Sequence, residues 1–388
     1  MNEPLAILQV LEKGSFTTGS VVQMFELARG LARRGHRVGV VSRPEGDVAR
    51  RSREEGIPFF PLRLAHEFDL SSARRLARIF DEFAADVVHV HKGIAHSVAL
   101  FATLFTRRRP VLVVNRGVSF PLDRFAALKF RVRLDAVVTV SQDIKRVVVA
   151  STRIPPGKVH VVYAGVDLSR FDPSRVDGGR VRREWGVAPD EELVVQVGAR
   201  DWKGWRDLLS ATALVAPARP RVRTAIVACK DDAEKERVLA FARERDAGDR
   251  VLAIGFRTDM PDVLAAADVV VDLSYEGLGV TGTIREAMAL GRPVIASAAG
   301  GNPELVQDGE SGLLVPPRDP RATALALERL LSDPELSGRL GRAARERVTK
   351  GFSTEARLDR IEALYRELVA SAGRARRAET GEATTVDR

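Results

Sequence analysis

Cys229 is the only cysteine in 388 residues, which excludes an internal disulfide and any multi-cysteine zinc site. Long apolar runs are missing as well. None approaches the ~20 residues that span a bilayer, and Met1-Asn2-Glu3-Pro4 lacks the basic start of a signal peptide. The expected location is therefore cytoplasmic. Aromatics are sparse at 3 Trp, 3 Tyr and 16 Phe, mostly inside apolar runs. Basic clusters interleaved with aromatics, the usual footprint of nucleic-acid binding, are not seen, so nucleic acid is not an expected partner. Lysine is scarce: the chain holds 9 Lys against 52 Arg at a net charge of +9. A GC-rich genome would produce that skew as readily as a function would. Arg74-Arg75 and Arg107-Arg108-Arg109 nevertheless suit weak peripheral association with an anionic membrane face.

What is present describes a globular α/β chain. Hydrophobic residues make up 45% and charged residues 29%, and the length suits two domains of ~150–200 residues each. The first half alternates short apolar runs with amphipathic stretches, the pattern of a parallel sheet wrapped by helices. Strands are expected at 5–11, 37–42, 87–91, 110–114, 136–140 and 159–162, with helices at 20–34, 71–84, 96–106 and 143–150. Gly, Asp and Pro accumulate over 163–179, read as a linker. A second alternating series follows, with strands at 193–197, 222–228, 251–254, 269–273 and 293–296. Its helices are expected at 205–215, 232–245, 283–290 and 320–331, and Asn302-Pro303 reads as an Asn-capped helix start. The expected division is 1–168, 169–352, a closing helix over 353–370 packing back toward the first domain, and a disordered polar tail over 371–388. Two doubly wound, Rossmann-like domains facing across a cleft would bind ligands at the carboxyl ends of their strands.

The most telling stretch is Gly277-Leu278-Gly279-Val280-Thr281-Gly282-Thr283, which runs into the helical pattern Ile284–Leu290 and is flanked by Glu276 and Glu286. A glycine-rich loop feeding a helix leaves backbone N–H groups unpaired and suits a diphosphate. The two carboxylates cannot hold phosphate, so they suit hydroxyls, and together the set suggests a nucleotide-sugar donor. Thr283-x-x-Glu286 is also a capping box, in which the glutamate would merely return to the cap. Arg200 and Lys203, in Val197-Gly198-Ala199-Arg200-Asp201-Trp202-Lys203-Gly204, follow a strand and read either as diphosphate ligands or as solvated loop cations. His89 and His91 share one strand face; His91 reads as a hydrogen-bonding or polarising group and His89 as a satisfied core histidine. Beyond the nearby His96, no convincing third ligand is visible for a metal site. Gly14-Ser15-Phe16-Thr17-Thr18-Gly19-Ser20 matches neither GxGxxG nor GxxxxGK[ST]. It reads as a hydroxyl-rich approach to a polyol, or as an ordinary strand–helix turn.

On these residues the chain resembles the retaining GT-B glycosyltransferases of family 4, the glycosyl transferases group 1. The resemblance runs through Glu26–Val38, Asp86–His91 and Val138–Ser141. It is strongest in Arg200–Gly204, Arg285–Ile295, Gly300–Val306 and Asp308–Pro317. It implies sugar transfer from a nucleoside-diphosphate sugar with anomeric retention, no divalent metal and no other cofactor. Its acceptor would be a glycan or lipid-linked molecule, as in cell-envelope polysaccharide or lipopolysaccharide synthesis. By this likeness Arg200 and Lys203 bind the diphosphate and Glu286 the ribose. Glu276 with Gly279, Val280, Thr281, Gly282 and Thr283 takes the donor sugar and phosphate. His91 and the loop Gly14, Ser15, Phe16, Thr17, Thr18 and Gly19 lie toward the reacting centre and the acceptor. Two departures are present: nine residues separate Glu276 from Glu286, a longer spacing than the family usually has, and Ala164 precedes Gly165-Val166-Asp167 where Asn is common. Rival readings are a nucleotide-sugar 2-epimerase on the same scaffold and a catalytically silent sugar-nucleotide-binding protein.

Overall fold

A computed structural model describes residues 3–16, 19–276 and 279–380, without the side chains of 125 and 376–380. The chain divides into two compact units: Met1–Val140 with Ile144–Val162 and Arg357–Arg388, and Ser141–Asp143 with Tyr163–Ala356.

The first unit carries seven strands: β1 (Ala6–Leu11), β2 (Arg37–Ser42), β3 (Phe59–Pro61), β4 (Val87–His91), β5 (Val111–Arg116), β6 (Ala136–Thr139) and β7 (Val159–Val161). They form one parallel sheet in the order β3-β2-β1-β4-β5-β6-β7. Alternation of side chains sends Leu8 and Val10 into one core layer and Ile7 and Leu11 into the other. The closing helix Thr354–Thr380 covers the second face with Leu358, Ile361 and Tyr365. It runs through 371–380, so the expected polar tail is helical there; residues 381–388 lie outside the described residues.

The second unit repeats the plan with β8 (Glu192–Val197), β9 (Val222–Val227), β10 (Val251–Ala253), β11 (Val269–Asp272), β12 (Val294–Ser297) and β13 (Leu313–Val315). Their order is β10-β9-β8-β11-β12-β13, again parallel. Strand order reverses between β1 and β4 in one sheet and between β8 and β11 in the other. In doubly wound folds the crevice at such a switch point, beyond the carboxyl ends of the strands, takes the ligand. Residues 12–13 and 91–92 stand there in the first unit, as do 198–204 and 273–276 in the second.

Candidate functional site

In the second unit, the loop after β8 is held against the loop after β11. Gly204 has φ +69°, and a Cβ there would lie 2.5 Å from the Leu273 carbonyl oxygen, so only glycine permits the approach. Tyr275 N–H donates to the Trp202 carbonyl at 3.0 Å, and Gln196 Nε2 to the Lys203 carbonyl at 3.0 Å. Lys203 is not a free cation: its Nζ lies 3.0 Å from Oδ2 of Asp272, a carboxylate with no solvent exposure at the end of β11. The other oxygen of Asp272 accepts from the Ser274 amide at 3.1 Å and from the Ser274 hydroxyl. Arg200 is exposed and has no ion-pair partner among the described residues.

The glycine-rich loop leads into a helix at Gly282–Ala289, and the capping box does not form. Thr281, not Thr283, occupies the N-cap position, and its side chain makes no cap bond. Its hydroxyl instead donates to Asn302 Oδ1 at 2.8 Å, while Asn302 Nδ2 donates to the Ser297 carbonyl at 3.1 Å. Asn302 is thus spent on this bridge; the N-cap of its own short helix, Asn302–Leu305, is Gly301 and not the expected Asn. Gly301 is required by proximity, since a Cβ would lie 2.8 Å from the Gly279 carbonyl carbon and 2.9 Å from Val280 N. The first-turn amides of the Gly282 helix are consequently left without a side-chain acceptor. Glu286, one turn along and partly buried, has no hydrogen-bond partner among the described residues. Burial pushes its carboxyl pKa up, opposed by the charges of Arg285, Arg170 and Lys203. Glu276 is exposed, and Gly277 and Leu278 lie outside the described residues.

These loops carry what a nucleoside diphosphate requires: unpaired amides at a helix start, a cation, and a recessed carboxylate for hydroxyls. The group described as Glycosyltransferase Family 4 matches residues 17–170, and Glycosyl transferases group 1 matches 179–347. The chain belongs to the group 1 glycosyltransferases, of GT-B fold. The N-acetyl-alpha-D-glucosaminyl L-malate synthase of Bacillus anthracis is 25% identical over 380 residues, 90% of this chain and 94% of that protein. An Escherichia coli UDP-Gal:alpha-D-GlcNAc-diphosphoundecaprenol alpha-1,3-galactosyltransferase is 27% identical over 322 residues, 78% and 80% of the two chains. The fold is shared with Anabaena Alr3699/HepE, solved in complex with UDP, at a TM-score of 0.81 and 22% identity over 93% of this chain and 99% of that one.

In this transferase's first unit, the residues read as acceptor-side are placed unevenly. His91 ends β4 opposite Leu11 of β1 and is only 2% exposed. Its Nε2 is 2.7 Å from Gln9 Oε1, and its ring lies 4.4 Å from that of His89. His91, read as a hydrogen-bonding group, is therefore buried and already bonded to Gln9 at the end of its strand. Burial first, and then the charges of His89, Arg357 and Lys92, hold its pKa well below 6.5, so the ring is neutral. His89 is the core histidine expected but is only half satisfied: Nδ1 lies 2.6 Å from Tyr365 Oη, while Nε2 is buried without a partner. Gly14 packs on the 45–46 turn: its carbonyl accepts from Val48 N at 2.9 Å, and Phe16 N donates to Asp47 at 3.4 Å. Gly19 opens the helix Gly19–Arg33, Ser15 lies between, and Thr17 and Thr18 fall outside the described residues.

Several charged groups near these loops went unread in the sequence. Asp272 looked like the end of an apolar strand, and Arg170 like part of a linker. Glu12 is 8% exposed, accepts from Ala95 N at 3.2 Å and has its pKa raised by burial. Beside it Lys92 sits at φ +77° and ψ 170°, a conformation that costs a non-glycine residue ~1–3 kcal/mol. A cavity of about 720 Å³ lined by Arg206, Asp207, Phe241 and Arg318 among others includes none of the predicted site residues. Among the described residues no cluster of three or more His, Cys, Asp or Glu could hold a metal.

Proposed function

We propose that the transferase moves a sugar from a nucleoside-diphosphate sugar to a hydroxyl of a glycan or lipid-linked acceptor, with retention at the anomeric carbon and without a divalent metal. The bond from the anomeric carbon to the diphosphate breaks, the leaving group keeps its electrons, the glycosidic bond forms and the acceptor's hydroxyl proton is released. The observation that carries this reading is the uncapped start of the Gly282 helix beside the partnerless carboxylate of Glu286. Helix-end amides and Arg200 would stabilise charge growing on the leaving diphosphate, the work a metal does elsewhere. Glu286 would accept from the ribose hydroxyls, and Glu276 with Gly279–Thr283 would hold the donor sugar. His91, neutral and tied to Gln9, would serve as a hydrogen-bonding group in the transfer, and Gly14, Ser15, Phe16 and Gly19 would contribute to acceptor binding.

Relatives support an anion-bearing acceptor, since L-malate and a diphosphoundecaprenol-linked sugar appear in their names. The second of these supports a role in envelope polysaccharide synthesis at the inner membrane face. No described helix is long and apolar enough to cross a membrane. Peripheral docking is supported by Arg107, Arg108 and Arg109 together with exposed Leu104, Phe105, Leu128 and Val132 in the first unit. The test is a thermal-shift screen against UDP-, GDP- and ADP-sugars, followed by NMR of the product's anomeric linkage with the best donor. No shift with any of them, or an inverted linkage, would remove the reading.

A further inference from the structure

Arg285 is the one described side chain with two buried nitrogen atoms that lack any partner. It is 4% exposed, and neither Nε nor Nη1 finds an acceptor. Its third nitrogen, Nη2, lies 3.9 Å from where a Cβ on Gly282 would stand. The guanidinium therefore runs back along its own helix toward the N-terminal turn, as long side chains on helices do. Glu286 is the one charge that acts on it appreciably, and no hydrogen bond joins the two. A buried, unpartnered guanidinium is costly to keep, and such groups persist where a ligand completes them.

Two further facts make the missing partner an anion. The first-turn amides of the helix have no side-chain acceptor. Lys203, one of the two cations expected to meet the donor, already spends its charge on Asp272 at 3.0 Å. We propose that Arg285 is a diphosphate ligand of the donor, gripping a phosphate oxygen at the first turn of the Gly282 helix and supplying the positive charge that Lys203 has given to Asp272. This rests on the donor being a nucleoside diphosphate. It makes Arg200 and Arg285, rather than Arg200 and Lys203, the principal cations of the site.

The test is calorimetric titration of the full chain with UDP, GDP and ADP, repeating the tightest of them alongside its own nucleoside. Arg285→Leu is expected to weaken the diphosphate by about tenfold or more, the worth of a charge-assisted hydrogen bond. The nucleoside should bind as before, and the melting temperature should hold or rise because an orphan charge has been removed. Arg285→Lys, which keeps the charge but loses the fork, should fall between. Unchanged diphosphate affinity in Arg285→Leu overturns the proposal and leaves the donor reading standing. Equal losses for diphosphate and nucleoside also overturn it, since Arg285 would then act through Glu286. Should the leucine variant fail to fold, the lysine variant decides on the same comparison. A folded wild type that binds none of the three removes both the proposal and the donor reading.

Discussion

Lys203 Nζ and Asp272 Oδ2 are 3.0 Å apart, joining a loop cation that is 19% exposed to a carboxylate with no exposure at all. Arg200, three residues earlier, is exposed and without an ion-pair partner among the described residues. The two cations of one motif therefore differ in their surroundings. Arg200→Ala is expected to weaken nucleoside-diphosphate binding at an unchanged melting temperature. Lys203→Ala should lower the melting temperature, because stripping one partner from a buried pair costs about 3 kcal/mol or more. Differential scanning calorimetry of both variants checks this, and equal melting temperatures would show that the ion pair is not structural.

Glu286→Gln separates recognition from folding now that the capping box is absent. A rise in donor KM or loss of turnover is expected, with a cost of ~1–3 kcal/mol in recognition. The sign of the pH effect follows from the raised carboxyl pKa, whose first cause is burial. An acid whose folded pKa lies above its unfolded value of 4.5 adds stability below pH 4.5 that is lost as pH rises through the folded pKa. The variant should therefore gain on the wild type in melting temperature as pH rises from below 4.5. A constant difference across that range would refute the buried carboxylate.

Buried histidines set the acid limit. Burial holds His89 and His96 at about 3 and His91 well below 6.5. A base whose folded pKa is depressed gives stability that is present above its unfolded pKa of 6.5 and lost as pH falls toward about 3. Urea melts should show stability falling by up to ~1.4 kcal/mol per pH unit for each such histidine. His96→Leu should flatten part of that slope. Stability independent of pH over this window would contradict the burial.

Activity should survive EDTA, since helix-end amides and arginine take the place of a metal in the proposed site. A complete loss that a divalent ion restores would reject that account.

The arginine-rich first unit should sediment with anionic vesicles at low salt and be released as salt shortens the screening length below ~10 Å. Equal sedimentation with neutral vesicles would count against a charge-driven docking surface.

The pair of parallel sheets was legible in the sequence, because a strand buried on both faces is a short apolar run whatever surrounds it, and eleven such runs stand out. The loop proposed to hold the donor was legible as well: glycines before the Gly282 helix and the glutamates around it are local facts of composition. Strands β3 and β13 went unread, and pairing with β2 and β12 is what makes them strands. Pairings between distant residues become visible only in the folded chain. Thr283-x-x-Glu286 is as good a capping box as a sequence can offer, yet Asn302, 21 residues beyond Thr281, takes that residue's hydroxyl and starts the helix at Gly282. Lys203 reads as a ligand or a solvated loop cation, and only the fold shows it paired with Asp272, 69 residues away. His91 reads as a hydrogen-bonding group, but that its Nε2 is held by Gln9 on the neighbouring strand is decided by the fold. Local pattern fixes which backbone conformation costs least. Which polar group remains free for a ligand depends on which others have already found partners, and partners are distributed by the fold.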